Sequence, residues 1–192
     1  LPALKRQGVE NIGVFETLGD PIPKQIFLLI PYKNLTSYGR VISGLSLDKN
    51  YLEKRKAYDS LSHDKRVYTR FSTSFYIAFD GLPKIVKPKK ESQLFELRTY
   101  EGYSENAVRR KIKMFNKEEL TIFDATGLHS VFFGEQVFGP LMPALTYLLS
   151  FSSMQERDAN WKKFIVHPEW KRISGLKEYA HSVSNIKRTF LK

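Results

Sequence analysis

The 192-residue chain contains no cysteine, which excludes disulfides, thiolate metal sites and a cysteine nucleophile. Compartment stays open on that count, because a cysteine-free chain suits reducing and oxidising spaces alike. No apolar run reaches the ~18 residues that a bilayer-spanning helix needs. The opening "LPALKRQG" has no charged stretch followed by an apolar one, as a secretory leader would. No Walker loop, GxGxxG or GxSxG is present. The four histidines, His63, His129, His167 and His181, fall into no metal-ligand spacing, so no metal site and no cofactor is expected.

What is present suits a packed protein. Hydrophobic residues make up 42% and aromatics 14% of the chain, enough for a core and unlike a disordered composition. The net charge of +11 divides as +4 over residues 1–83, +3 over 84–93 and +4 over 94–192. No single element dominates. That spread fits a basic, solvated surface better than a nucleic-acid groove.

"LPKIVKPKKES" (Leu82–Ser92) has two prolines and four lysines. Proline blocks ladder pairing and like charges repel, so residues 84–93 read as a linker between 1–83 and 94–192. The halves also repeat. A shift of 119 residues sets Leu1 on Leu120, Gly8 on Gly127, Glu16 on Glu135, Pro21 on Pro140 and Leu29 on Leu148. Apolar positions follow the same register without a gap for about fifty residues, which points to a duplicated unit.

The second half shows the unit whole. Leu94–Glu101 alternates as a strand. Ser104 can N-cap a helix running to about Thr126, and Gly127 suits its left-handed end. Leu128–Phe138 and Ala144–Phe151 form a hairpin around "GPLMP". A helix from Ser153 is interrupted and restarted at Pro168, and Val183–Leu191 is a last strand. The order βαββαβ is the ferredoxin-like plan. By the same register, the first half begins inside its first helix. A first strand and most of a helix, roughly 25 residues, are expected to be missing from it, or supplied by another chain.

The residues "FELRTYE", "TGLHSVFFGE", "LTYLLSFSSMQERDANWKKF" and "HPEW" resemble the NIPSNAP family over about Leu94–Leu191. The first half looks like a diverged second copy, as in tandem bacterial proteins of that type. The resemblance implies an α+β fold of the dimeric α+β barrel superfamily: two tandem ferredoxin-like repeats packed sheet to sheet as an αβ barrel, the first lacking its first strand. It implies no common reaction. By family analogy the protein is expected to be periplasmic or secreted.

Candidate site residues follow from the pattern. In Leu94–Glu101, alternation sets Phe95, Leu97 and Thr99 on one face and Glu96, Arg98 and Tyr100 on the other. If the first set packs on helices, the polar set points between the sheets and must be paired there. It then either lines a ligand pocket or holds the sheets in register, and the structural role is modestly favoured. His129 and Tyr147, on the following strands, join these three as ligand-binding candidates, His129 because an imidazole can serve as general acid or base. "HPEWKRIS" (His167–Ser174) reads as a helix start with Trp170 as its anchor. "VRRKIKM" (Val108–Met114) reads as the solvated face of an amphipathic helix.

Three functions are carried forward. The first is a non-catalytic role in small-molecule or protein interaction, with the ligand between the sheets and homo-oligomers open. The second is a cofactor-independent monooxygenase-like or haem-related enzyme using the barrel interior. The third is a basic RNA or anionic-partner binder, which the absent RNA-recognition signature disfavours; its binding would weaken with salt.

Overall fold

Residues Leu94–Glu101 bury every second side chain, and the buried set is Leu94, Glu96, Arg98 and Tyr100. A computed structural model describes residues 1–192 and places this strand inside a five-stranded antiparallel sheet, next to its edge strand. The strands are β1 (Gly13–Glu16), β2 (Ile26–Leu29), β3 (Phe75–Ala78), β4 (Leu94–Glu101), β5 (His129–Phe138), β6 (Ala144–Phe151) and β7 (Asn185–Leu191). The helices are α1 (Pro2–Arg6), α2 (Leu35–Leu47), α3 (Lys49–Asp59), α4 (Glu105–Met114), α5 (Leu120–Thr126), α6 (Met154–Val166) and α7 (Pro168–Ser174). The chain forms two compact units, residues 1–15 with 26–72, and residues 16–25 with 73–192.

In the second unit the sheet order is β3-β5-β6-β4-β7. The last four strands are the ferredoxin-like order, in which the first strand of the motif sits between the third and the fourth. β3 adds at the β5 edge, pairing Ala78 with Gly134 and Tyr76 with Gln136. The opposite edge is also covered. Thr17 bridges Leu191, and the Glu16 and Lys192 backbones exchange hydrogen bonds of 3.1 and 2.9 Å. The Glu16 carboxylate holds Lys24 at 2.8 Å and Lys192 at 2.9 Å. Those two ammonium groups pull its carboxyl down to about 2.

The helices start and stop where local chemistry dictates. Ser104 caps α4 by accepting from the Ala107 N–H, and Ser153 caps α6 by accepting from the Glu156 N–H. The Glu156 carboxylate reaches back to the Ser152 N–H at 2.6 Å, closing a reciprocal cap. Between α4 and α5, one π-turn over Phe115–Glu119 lets the helix continue with a widened step. Gly127 ends α5 at φ +77°, a left-handed position costly for a residue with a Cβ. A built Cβ there would lie 2.9 Å from the Asn160 amide nitrogen.

The core lies between the sheet and α4–α6. Phe133 and Tyr147 stack in parallel at 4.7 Å, and Phe115 and Phe123 close edge-on around them at 5.3–6.0 Å. Trp170 anchors α7 by packing its ring 4.5 Å from Phe164, as "HPEW" suggested.

In the first unit β1 and β2 form a two-stranded sheet, and α2 follows with Asn34 as its cap. Several element boundaries recur at a spacing of 119 residues. Asn34 and Ser153 are N-caps 119 residues apart. Each begins a 13-residue helix, ending at Asp48 or His167, which in turn N-caps the next helix. Gly8 and Gly127 both sit left-handed, at φ +80° and +77°.

Candidate functional site

Four of the five candidate residues come together. Glu96, Arg98 and Tyr100 lie on one face of β4, and Tyr147 lies opposite Arg98 on β6. The Glu96 carboxylate accepts from Arg98 Nη1 at 2.8 Å, from Arg157 Nε and Nη2 at 2.8 and 2.9 Å, and from Trp161 Nε1 at 2.9 Å. Arg98 Nη2 donates to the Tyr100 hydroxyl at 3.2 Å, which also accepts from Tyr147 Oη at 2.8 Å. The Arg98 guanidinium stacks 4.5 Å from the Trp161 ring, a favourable cation–π arrangement.

This corrects the expected placement. Arg157 and Trp161 belong to α6, so the polar face of β4 lies beneath the helices and not in a space between sheets. Phe95, Leu97 and Thr99 occupy the other, helix-free face. The physical reason is pairing. A buried carboxylate needs several donors, and α6 supplies three N–H groups on side chains one turn apart. On the helix-free face, the cross-strand neighbours of Phe95, Leu97 and Thr99 are Ser150, Leu148 and Thr146 on β6, and Leu191, Thr189 and Lys187 on β7, so the one charge among them sits at the edge strand.

His129 is not part of the cluster. It pairs with Ser150, which sits opposite Phe95, and so falls on the helix-free face. Its Nε2 lies 3.4 Å from the Lys87 carbonyl. The Ser150 hydroxyl is buried without a hydrogen-bond partner.

A second buried ion pair lies close by. Lys111 Nζ meets the Glu119 carboxylate at 2.5 Å across the π-turn, 4.6 Å from the Phe115 ring. Lys111 was expected on a solvated helix face, and it is buried. Its long stem lets an otherwise exposed basic run send one member inward. Arg110, next to it, instead ties α4 to the Glu178 and Ala180 carbonyls at 2.8 Å each.

Electrostatics set the charge states. Burial opposes ionisation of Glu96, but the hydrogen bonds from Arg157 and Arg98 outweigh it and hold its carboxyl below the usual range. Burial likewise opposes the Arg98 cation. The Tyr147 and Tyr100 phenols and Glu96 override it and keep the guanidinium charged. Burial pushes the Tyr147 phenol well above its ordinary value. Burial also raises Glu119, although Lys111 works against it.

The cluster's acid and bases are each other's partners, with Arg98 Nε the one cluster donor left buried without a hydrogen bond. Two surface hollows, of about 380 and 320 Å³, lie in the first unit and touch none of it. No group of three or more histidine, aspartate and glutamate side chains could hold a metal ion, and no helix is long and apolar enough to cross a membrane. Sequence reasoning missed Arg157, Lys111 and Glu119. The one available signal was the i, i+4 spacing of Arg157 and Trp161, which puts a donor pair on one face of α6.

The fold is thus an α+β sheet of ferredoxin-like order with added edge strands and a buried polar cluster under its helices. The chain matches the NIPSNAP family profile over residues 95–192, half of its length, and belongs to that family. Among solved structures it is similar to an uncharacterised NIPSNAP-like domain protein of Burkholderia xenovorans, at 17% identity over 52% of this chain and 83% of that one, with a TM-score of 0.45. Over its full length it is similar to a provisionally named monooxygenase of Lactobacillus acidophilus, at 11% identity, 84% of that chain and a TM-score of 0.58. A provisionally named monooxygenase of Fusobacterium nucleatum matches at 9% identity over 99% of this chain and 80% of that one, TM-score 0.54. These two likenesses show an α+β barrel-like fold. No curated protein matches.

Proposed function

We propose that this NIPSNAP-family chain is a non-catalytic binding protein, and that it takes an apolar small molecule on the helix-free face of its five-stranded sheet. The observation that carries the reading is the saturation of Glu96. Four donors from Arg98, Arg157 and Trp161 consume both carboxylate oxygens inside the helix layer. A carboxylate so held has no proton to exchange with a substrate and no room to approach one. The cluster therefore serves as a clamp between β4 and α6.

The opposite face has the character of a ligand surface. Phe95, Leu97, Thr99 and Phe132 are half-buried there, and the Ser150 hydroxyl beneath them is buried without a hydrogen-bond partner. Apolar walls with few placed polar groups are what small-molecule sites use. The barrel-type pairing of two ferredoxin-like repeats belongs to the same proposal, supported by the 119-residue register and the full-length structural likeness.

Fluorescence titration with 1-anilinonaphthalene-8-sulfonate tests it. Saturable binding is expected in the unaltered chain, and its loss in Leu97→Asp with the far-UV circular dichroism unchanged. A substrate screen that finds turnover dependent on Glu96, Arg98 or His129 overturns the non-catalytic reading.

A second reading rests on His129 and Ser150, which stand opposite each other in the β5–β6 pairing, the Ser150 hydroxyl being buried without a hydrogen-bond partner. It is a cofactor-independent oxygenase acting on that same face. Oxygen uptake with hydroquinone substrates, abolished by His129→Ala, would favour it over simple binding.

A further inference from the structure

One motif is used neither by the clamp nor by the sheet face. It is "LPKIVKPKKES" (Leu82–Ser92), which holds most of the segment carrying +3 in ten residues. Its two prolines fix φ and withhold backbone donors, and residues 85–89 are neither helix nor strand. The stretch nevertheless follows a fixed course along the second unit. The Val86 N–H donates to the Val131 carbonyl of β5 at 2.9 Å, and the Gln93 N–H to the Phe151 carbonyl of β6 at 2.9 Å. Between them the Ser92 N–H donates to the Lys89 carbonyl at 3.0 Å, and the Lys87 carbonyl lies 3.4 Å from His129 Nε2.

Its burial repeats every three residues. Leu82, Ile85 and Pro88 are half-buried, and Leu82 packs against the core. Lys84, Lys87 and Lys90 recur at the same interval and are exposed, with exposed Lys89 beside them. Three residues per turn is the period of an extended, proline-rich backbone. An apolar edge therefore fastens the strap, and the lysines share its outer side.

No acidic side chain forms an ion pair with any of the four lysines, including Glu91, which follows them in sequence. Lys89 and Lys163 both act from a distance on the Glu156 carboxylate, whose hydrogen bonds go to Ser152, so the basic surface extends onto α6. Like charges this close repel, and a loose segment would spread them. Here backbone hydrogen bonds hold them together, and the repulsion is left for an anionic partner to relieve.

The residue types select that partner. The strap carries lysine and no arginine. Lysine is a hydrated point charge that answers diffuse negative potential, whereas bidentate recognition of single phosphates uses the arginine fork. The strap also has no aromatic ring on which a base could stack. A membrane surface requires only the charge density. We propose that the Leu82–Ser92 strap docks the protein reversibly on an anionic phospholipid surface, with its lysines against the headgroups. A lysine at such a surface is worth about 1 kcal/mol, which is about fivefold in affinity.

Co-sedimentation of the full chain with vesicles tests it. Binding is expected to vesicles of phosphatidylserine mixed with phosphatidylcholine, not to phosphatidylcholine alone, and is expected to weaken as salt rises. The triple variant Lys84→Gln, Lys87→Gln, Lys90→Gln is expected to bind roughly a hundredfold more weakly. A charge-matched triple elsewhere on the unit, Lys162→Gln, Lys171→Gln, Lys177→Gln, removes three exposed lysines and is expected to lose less than about threefold, because charges beyond a Debye length of the surface are screened. The fluorescence of Trp161 and Trp170 reports that both variants remain folded. Equal losses in the two triples overturn the proposal, since net charge alone would then drive binding. So does a failure to bind phosphatidylserine vesicles at low salt. Tighter binding of a single-stranded oligonucleotide than of the vesicles, lost in the first triple, overturns it as well, because the strap would then be a nucleic-acid surface.

Discussion

Replacing Glu96 by glutamine removes the one negative charge that two arginines share. The glutamine keeps the shape and one acceptor oxygen, but it cannot serve four donors. Arg98 and Arg157 have side chains only 10% and 13% exposed, so neither can swing fully into water. Removing one partner of a buried pair costs about 3–5 kcal/mol, because the remaining charge is left uncompensated. For a protein of this size each 1 kcal/mol shifts the melting temperature by roughly 2–4 °C, so a fall of roughly 6–20 °C is expected. Urea unfolding followed by tryptophan fluorescence is the suitable assay. Both tryptophans, Trp161 and Trp170, lie in the second unit, so the signal reports that unit alone and avoids mixing two transitions. The double variant Glu96→Leu with Arg98→Met supplies a check. It removes a charge of each sign, and it is expected to be less destabilised than Glu96→Gln. A loss below about 1 kcal/mol in Glu96→Gln, in the range of a surface pair, would refute the clamp and reopen the cluster as a functional site.

Other outcomes follow from the same geometry. Tyr147→Phe deletes the hydrogen bond that Tyr147 donates to Tyr100 at 2.8 Å, and about 1–2 kcal/mol of stability should go with it in the same urea assay. Gly127→Ala forces a Cβ into a left-handed position and against Asn160; a loss of about 1–2 kcal/mol is expected by thermal melting. Acidification separates the two buried carboxyls. Glu96 is held below the ordinary glutamate value of 4.5, so it contributes stability above that pH, lost as pH falls through its lower folded value. Stability against pH should therefore fall less steeply below about 4.5 in Glu96→Gln than in the unaltered chain. Glu119 is raised by burial, which gives it the opposite sign. In Lys111→Met, stability should increase as pH falls through Glu119's raised value toward 4.5, because the folded state then takes up a proton that the unfolded chain does not.

Much of the second unit was legible residue by residue. Ser104, Gly127, Ser153 and Pro168 stand at helix ends because their preferences act locally, and the alternation in Leu94–Glu101 is a property of the strand alone. The 119-residue register was likewise readable, since Gly8 and Gly127 need the same backbone conformation wherever they occur. Of the five candidate residues, Glu96, Arg98, Tyr100 and Tyr147 are in hydrogen-bond contact, whereas His129 lies on the other face of the sheet. Lys111 was misjudged, because a basic run on a helix says nothing about which lysine meets a buried acid eight residues on.

The sequence by itself therefore determined the βαββαβ order of the second half, the helix ends and the polar face of β4, all of which depend on neighbours a few residues away. Only the tertiary structure decided which side of the sheet that polar face occupies. Alternation defines two faces without naming what covers each one. The choice was made by Arg157 and Trp161, some sixty residues along the chain from Glu96, because a buried carboxylate goes where donors can surround it.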